Sequence, residues 1–273
     1  MPIQVKAMNA ATHSITHDPG DYDRWHLPAH LAQAVWRGTE VARSTGRAFP
    51  TGFTELNAAL PGGGWPTHGL SELLLPQAAL CEWRLLGPAL PELLADKGSR
   101  VYLVAPPKTP LAMGLAQLGL APEQLVWIDA KGPAERLWAT EQLIKSEPDG
   151  AVIAWLPQAR QDQIRRLQVH AHACDAPVFL IRPESALHDA SPAPLRLSVS
   201  LGQGWDIDVQ IRKRRGGAAV DVMHLNAVPG NLNSILPPRM RNLGISVPSI
   251  PQEVHHALGS SHTHIASKLR IAH

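Results

Sequence analysis

The densest group of side chains able to do chemistry is basic: Arg212, Lys213, Arg214 and Arg215 occupy consecutive positions. Lysines and arginines that neutralise phosphates release condensed counterions, so a run of this kind at a solvated turn suits nucleic acid. Arg165 and Arg166 add a second basic pair. These six are the candidate DNA-binding residues; the alternative is a solvated turn that merely holds its charges apart. The 14 histidines raise a metal reading. Their spacing does not sustain it. His170 and His172 point to different faces of one helical segment, and His255, His256, His262, His264 and His273 lie in a polar tail. Without cysteines or carboxylates at ligand spacing, no metal site is expected. Cys81 begins a helical stretch, a place that lowers a thiol pKa. Glu82 beside it opposes the thiolate, so a small core-facing residue is the expected role. No Ser-His-Asp set or carboxylate pair follows from the spacing, and neither a catalytic residue nor a cofactor is assigned.

At 273 residues, 44% hydrophobic and 18% charged, the chain has the composition of a globular domain with a substantial core. Its net charge of +2 says little about partners by itself. No apolar run approaches the roughly 20 residues of a bilayer span. The stretch MPIQVKAMNAATHSITHDPG lacks the continuous apolar region of a secretory signal, so a cytoplasmic location is expected. Cys81 and Cys174 are then expected as buried thiols in a reducing compartment.

The elements that position these groups follow from apolar period and turn residues. Gly62–Gly64 mark a turn, Leu70–Leu75 is a short apolar run, Cys81–Ala95 has helical spacing, and Arg100–Ala105 is a second apolar run. That is one βαβ unit, and its right-handed crossover implies a parallel sheet. A helix over Thr109–Leu118 closed by Gly119, a strand over Gln124–Asp129, and a helix over Pro133–Ser146 burying Leu137, Trp138, Leu143 and Ile144 follow. Ala151–Leu156 reads as a strand buried on both faces, Gln158–Ala173 as a helix, and Pro177–Arg182 as the next strand. Pro183–Pro194 is a candidate mobile loop. Leu195–Leu201 and Trp205–Lys213 alternate apolar and polar residues around a Gly turn, and Ala219–Leu225 adds a third run, an antiparallel extension with Arg212–Arg215 at its tip. The expected organisation is an N-terminal arm and helix over 1–46, an α/β core over 47–225, and a flexible C-terminal tail over 226–273.

The lead-in Phe49–Gly52 with Leu56 (FPTG-x-x-x-L), the Gly-rich turn before the first strand, and Glu72 inside that strand resemble the opening of the RecA recombinase core. The family it is most similar to is ImuA, the RecA-like proteins encoded with error-prone polymerases. The resemblance covers about Arg47–Leu225 and implies a RecA-like core with a mostly parallel sheet and helices on both faces. Within it the nucleotide-binding loop is degraded. A P-loop needs glycines whose N–H groups curl round phosphates, a Lys for their charge and a Ser/Thr hydroxyl for Mg²⁺. Aligned without a gap from Glu72, this chain has Leu75 and Leu80 at the glycines, Cys81 at the Lys and Glu82 at the Ser/Thr, with Pro76 retained. Trp155 stands where the ATPases end a later strand in the Asp that helps hold Mg²⁺.

What the resemblance implies is a non-catalytic accessory protein of the SOS-induced error-prone translesion synthesis complex. Its implied partners are an ImuB-like Y-family subunit and a DnaE-type polymerase, with contact to RecA, DNA or a second copy of itself also implied. The alternative is a SulA-like cell-division inhibitor binding FtsZ, which shares the RecA-like ancestry and the missing P-loop.

Overall fold

Phe49 and Trp65 anchor the start of the domain, because they pair in a short antiparallel ribbon between β1 (Ala48–Phe49) and β2 (Trp65–Pro66). The computed structural model describes residues 47–146, 148–215, 221–230 and 232–241. The expected arm and helix within 1–46 lie outside them. Between the two short strands run α1 (Thr54–Ala59) and a 3-10 turn over Pro61–Gly63. A Cβ at Gly64 would stand 2.1 Å from the Phe49 carbonyl oxygen, so only glycine lets the ribbon close there.

Eight further strands form one sheet: β3 (Leu70–Leu75), β4 (Arg100–Val104), β5 (Leu125–Ile128), β6 (Gly150–Trp155), β7 (Val178–Pro183), β8 (Leu195–Leu201), β9 (Asp206–Lys213) and β10 (Met223–Asn226). Their order is β10-β9-β8-β3-β7-β6-β4-β5, parallel from β8 to β5 and antiparallel across β8, β9 and β10. This is the α/β class with the antiparallel extension expected of a RecA-like core. The strands β3, β6 and β7 are apolar and buried on both faces, as central strands under two helical layers must be. On one face α2 (Glu82–Leu86), α3 (Leu90–Leu93) and α4 (Ala112–Gln117) bury Leu85, Leu90 and Leu115 against Leu73, Leu103 and Ile153. On the other, α5 (Pro133–Lys145) and α6 (Gln161–Ala171) bury Leu137, Ile144, Ile164 and Leu167 against Val104, Val152 and Val178.

Several expectations change. The strands β3 and β4 of the central βαβ unit are not neighbours, since β7 and β6 insert between them. The stretch Cys81–Ala95 is not one helix: Pro88 and Pro91 remove backbone donors, and a 3-10 turn over Gly87–Ala89 separates α2 from α3. On α5, Leu137, Thr140, Glu141 and Ile144 share the buried stripe at i, i+3, i+4 and i+7, which leaves Trp138 62% exposed rather than in the core. The segment Pro183–Pro194 is pinned rather than free. It folds as a 3-10 turn over Glu184–His188, and Arg196 and Lys213 donate to its carbonyl oxygens. The third antiparallel strand begins at Met223, later than expected, and residues 216–220 lie outside the described residues. Of the expected tail, Ala227 is buried and Trp205 Nε1 donates to the Met240 carbonyl at 2.8 Å, which ties α8 (Pro238–Arg241) to the domain, whereas α7 (Leu232–Ile235) buries no residue. Residues 242–273 lie outside the described residues. Among the described residues no helix is long and apolar enough to cross a membrane.

Candidate functional site

The loop from β3 to α2 carries the first site. Ala79 adopts φ +62°, the left-handed region that L-residues seldom visit. The consequence is a row of N–H groups turned to one point. Ala79 donates to Glu82 Oε1 at 2.7 Å, and Leu80 and Cys81 donate to Glu82 Oε2 at 3.0 and 3.2 Å. From the end of β6, Trp155 Nε1 donates to Glu82 Oε1 at 3.2 Å. The carboxylate is 1% exposed. Convergent backbone N–H groups after a strand make an anion-binding nest, and here the anion is the chain's own side chain. An incoming phosphate would have to displace Glu82 and then meet its charge. Glu82 and Trp155, two of the positions at which the sequence departs from the pattern of the ATPases it resembles, are thus bonded to each other.

Cys81 sits in the same loop with its thiol 3.8 Å from the Val199 carbonyl oxygen. Burial, and after it the Glu82 charge, push the thiol up to about 12 against the pull of Arg84. It is a core thiol and not a nucleophile at neutral pH. Next to Glu82 a groove of about 330 Å³ opens between α2, the end of β4 and α4, lined by Trp83, Leu103, Pro106, Pro110, Leu115 and Trp155 among others.

A second cluster lies inside the sheet. Glu72 on β3 is fully buried, and register brings Arg196 of β8 beside it and Arg182 of β7 beside Leu74. Arg182 Nη1 donates to Glu72 Oε1 and Arg196 Nε to Glu72 Oε2, each at 2.5 Å. Arg182 Nη2 also reaches the Ala159 carbonyl and Asp189, and Arg196 reaches the carbonyls of Ala186 and Asp189. One buried carboxylate therefore binds two guanidinium groups that hold the 184–189 turn. A charge inside the run LSELLL signals that buried cations are required. Their identity was not legible, since Arg182 and Arg196 are 110 and 124 residues away.

The basic residues are spread over two elements and used unequally. Arg212–Arg215 end β9 where Lys213 faces Arg196, which is the amino edge of the parallel strands, opposite to the Glu82 loop. Arg212 is exposed and donates to Ser198 Oγ at 2.9 Å, and Arg215 is exposed. Lys213 donates to the Ser191 carbonyl at 2.8 Å; burial, then the Arg196 charge, lower its pKa, with Glu72 opposing. Arg214 is turned inward onto the Ala59 carbonyl, with a buried Nε that has no partner. So the expected solvated turn does not extend to Arg214. On α6, Arg165 is exposed, whereas Arg166 pairs with Glu141 at 3.0 Å. Glu141 also takes Lys145 at 2.6 Å, and that hydrogen bond chiefly holds its carboxyl below the usual range. Among the described residues no three His, Cys, Asp or Glu side chains gather as a metal would require.

No family model matches this chain, and no curated protein matches it in sequence.

Proposed function

We propose that this chain is a non-catalytic RecA-like accessory protein of the ImuA kind, acting in error-prone translesion synthesis by assembling an ImuB-like Y-family subunit with a DnaE-type polymerase. The observation that carries this reading is the Glu82 carboxylate seated on the N–H groups of Ala79, Leu80 and Cys81. The loop keeps the strand-to-helix position and the convergent donors of a phosphate site while its own side chain consumes them. A scaffold with that loop works through its surfaces. Contact with DNA through Arg212 and Arg215, with RecA, or with a second copy belongs to the same reading.

Calorimetric titration with ATP and Mg²⁺, followed by a turnover assay on the same sample, tests it. No heat and no turnover are expected. Binding in the micromolar range would mean that Glu82 swings out and that the protein is a nucleotide switch. Copurification with the ImuB-like and DnaE-type subunits tests the assembly half, and capture of FtsZ instead would give the SulA-like alternative.

A further inference from the structure

A cavity of about 170 Å³ lies across the carboxyl ends of β3, β7, β6 and β4, four neighbouring parallel strands. The chain leaves β3 and β4 for the helical layer of α2 and α4, and leaves β6 for the layer of α6, so the loops part over this place. Such a crevice is where open α/β sheets take their ligands. Trp155 is a wall common to this cavity and to the groove of Glu82, whereas Glu82 lines only the groove. Ala105, just past β4, lines the cavity with φ +50°, and backbone strain of that kind gathers at ligand sites.

The lining is apolar except for two guanidinium groups, and no Asp or Glu belongs to it. Arg182 is 4% exposed; its Nη1 is spent on Glu72 and its Nη2 on Ala159 and Asp189, while Nε is buried without a partner. In charge, Glu72 and Asp189 balance Arg182 and Arg196. Arg136, in the first turn of α5, has no such balance. Its Nε and Nη2 donate to the carbonyls of Ala130 and Lys131 at 3.2 and 3.5 Å, and it makes no ion pair among the described residues. The carbonyls hold the side chain in place and leave its positive charge unspent. A charge between apolar walls attracts an anion more strongly than one in open water, and the planar fork of a guanidinium fits the oxygens of a phosphate. The volume is below the roughly 300 Å³ at which pockets begin to take drug-sized ligands, so a phosphate group fits and a nucleoside triphosphate does not. We propose that this cavity binds a phosphate group, with Arg136 as the charge that holds the anion and Arg182 as the second guanidinium in its wall, the phosphate being either the free ion or the end of a larger molecule. The proposal is independent of a role in translesion synthesis and leaves Glu82 seated on its loop.

The test titrates the full chain with inorganic phosphate in a calorimeter. Saturable heat with a dissociation constant below about 1 mM is expected. Arg136→Ala should weaken binding about tenfold or more, the loss of a charge-assisted contact. Because Arg136 also ties the turn at Ala130 and Lys131, a second variant keeps those bonds. Ala78→Asp, at an exposed residue of the lining, sets a carboxylate against the anion and should weaken binding as much with the melting temperature unchanged. A 5′-phosphorylated oligonucleotide compared with its hydroxyl-ended twin tells the sources apart. A preference for the phosphorylated strand that Ala78→Asp removes assigns the cavity to a strand end, and saturation by inorganic phosphate without that preference assigns it to the free ion. No saturation by inorganic phosphate up to about 10 mM, together with equal binding of the two strands, overturns the proposal. Equal affinity in the parent and both variants overturns it as well.

Discussion

Glu82 satisfies three backbone donors and one indole from within the molecule, so its carboxylate is first a structural group. In Glu82→Ala the buried Trp155 Nε1 and Cys81 N–H lose their acceptor, while water reaches the donors of Ala79 and Leu80. With an unsatisfied buried donor costing about 1–3 kcal/mol, a loss of about 2–4 kcal/mol in urea unfolding is expected. Glu82→Gln keeps an acceptor oxygen and should lose about half as much. Full stability in Glu82→Ala would show that the loop stands without its anion. The sequence made this position conspicuous, because the resemblance to the RecA core sets Glu82 where a phosphate loop carries its hydroxyl. It did not reveal that Trp155, 73 residues on, supplies the fourth donor.

At the scale of elements, β3, β7 and β8 are fastened by one ion triad and not by apolar contact alone. Removing Glu72 leaves two buried guanidinium groups facing each other, and breaking a buried pair in this way costs about 3–5 kcal/mol. Glu72→Ala is therefore expected to be severely destabilised in denaturant, and to expose the 184–189 turn to protease. Equal resistance of that turn in parent and variant would mean that the Arg182 and Arg196 bonds do not hold it. The end of β9 separates two roles within one basic run. Arg214 packs on Ala59, so Arg214→Ala should lower the melting temperature. Charge removal at Arg215, exposed at that edge, should spare stability, and charge removal at Arg212 and Arg215 together should reduce the salt slope of single-stranded DNA binding by about 1–2. An unchanged slope would remove this edge from any DNA contact.

For the molecule as a whole, the boundary of the folded unit lies past Asn226. A chain cut after residue 225 loses the burial of Ala227 and the bond from Trp205 to Met240. Its midpoint should fall by about 4–8 °C, since about 1 kcal/mol shifts a domain of this size by about 2–4 °C. A chain cut after residue 241 keeps that burial and that bond and should melt above the shorter one. Identical melting of both truncations would place 226–241 outside the cooperative unit.

Short-range signals determined most of the layers: apolar runs of strand length placed β3, β6 and β7 within a residue, alternation placed β8, and α5 and α6 fall where helical spacing set them. Local pattern reaches that far because burial on two faces or one is written into neighbouring residues. The tertiary structure decided what distant residues share. It set the strand order that parts β3 from β4, chose Leu137 over Trp138 for the core, and bent the Glu82 carboxylate back onto its own loop. Sheet register decided the rest: it placed Arg182 and Arg196 on one buried carboxylate, a pairing that no spacing along the chain encodes.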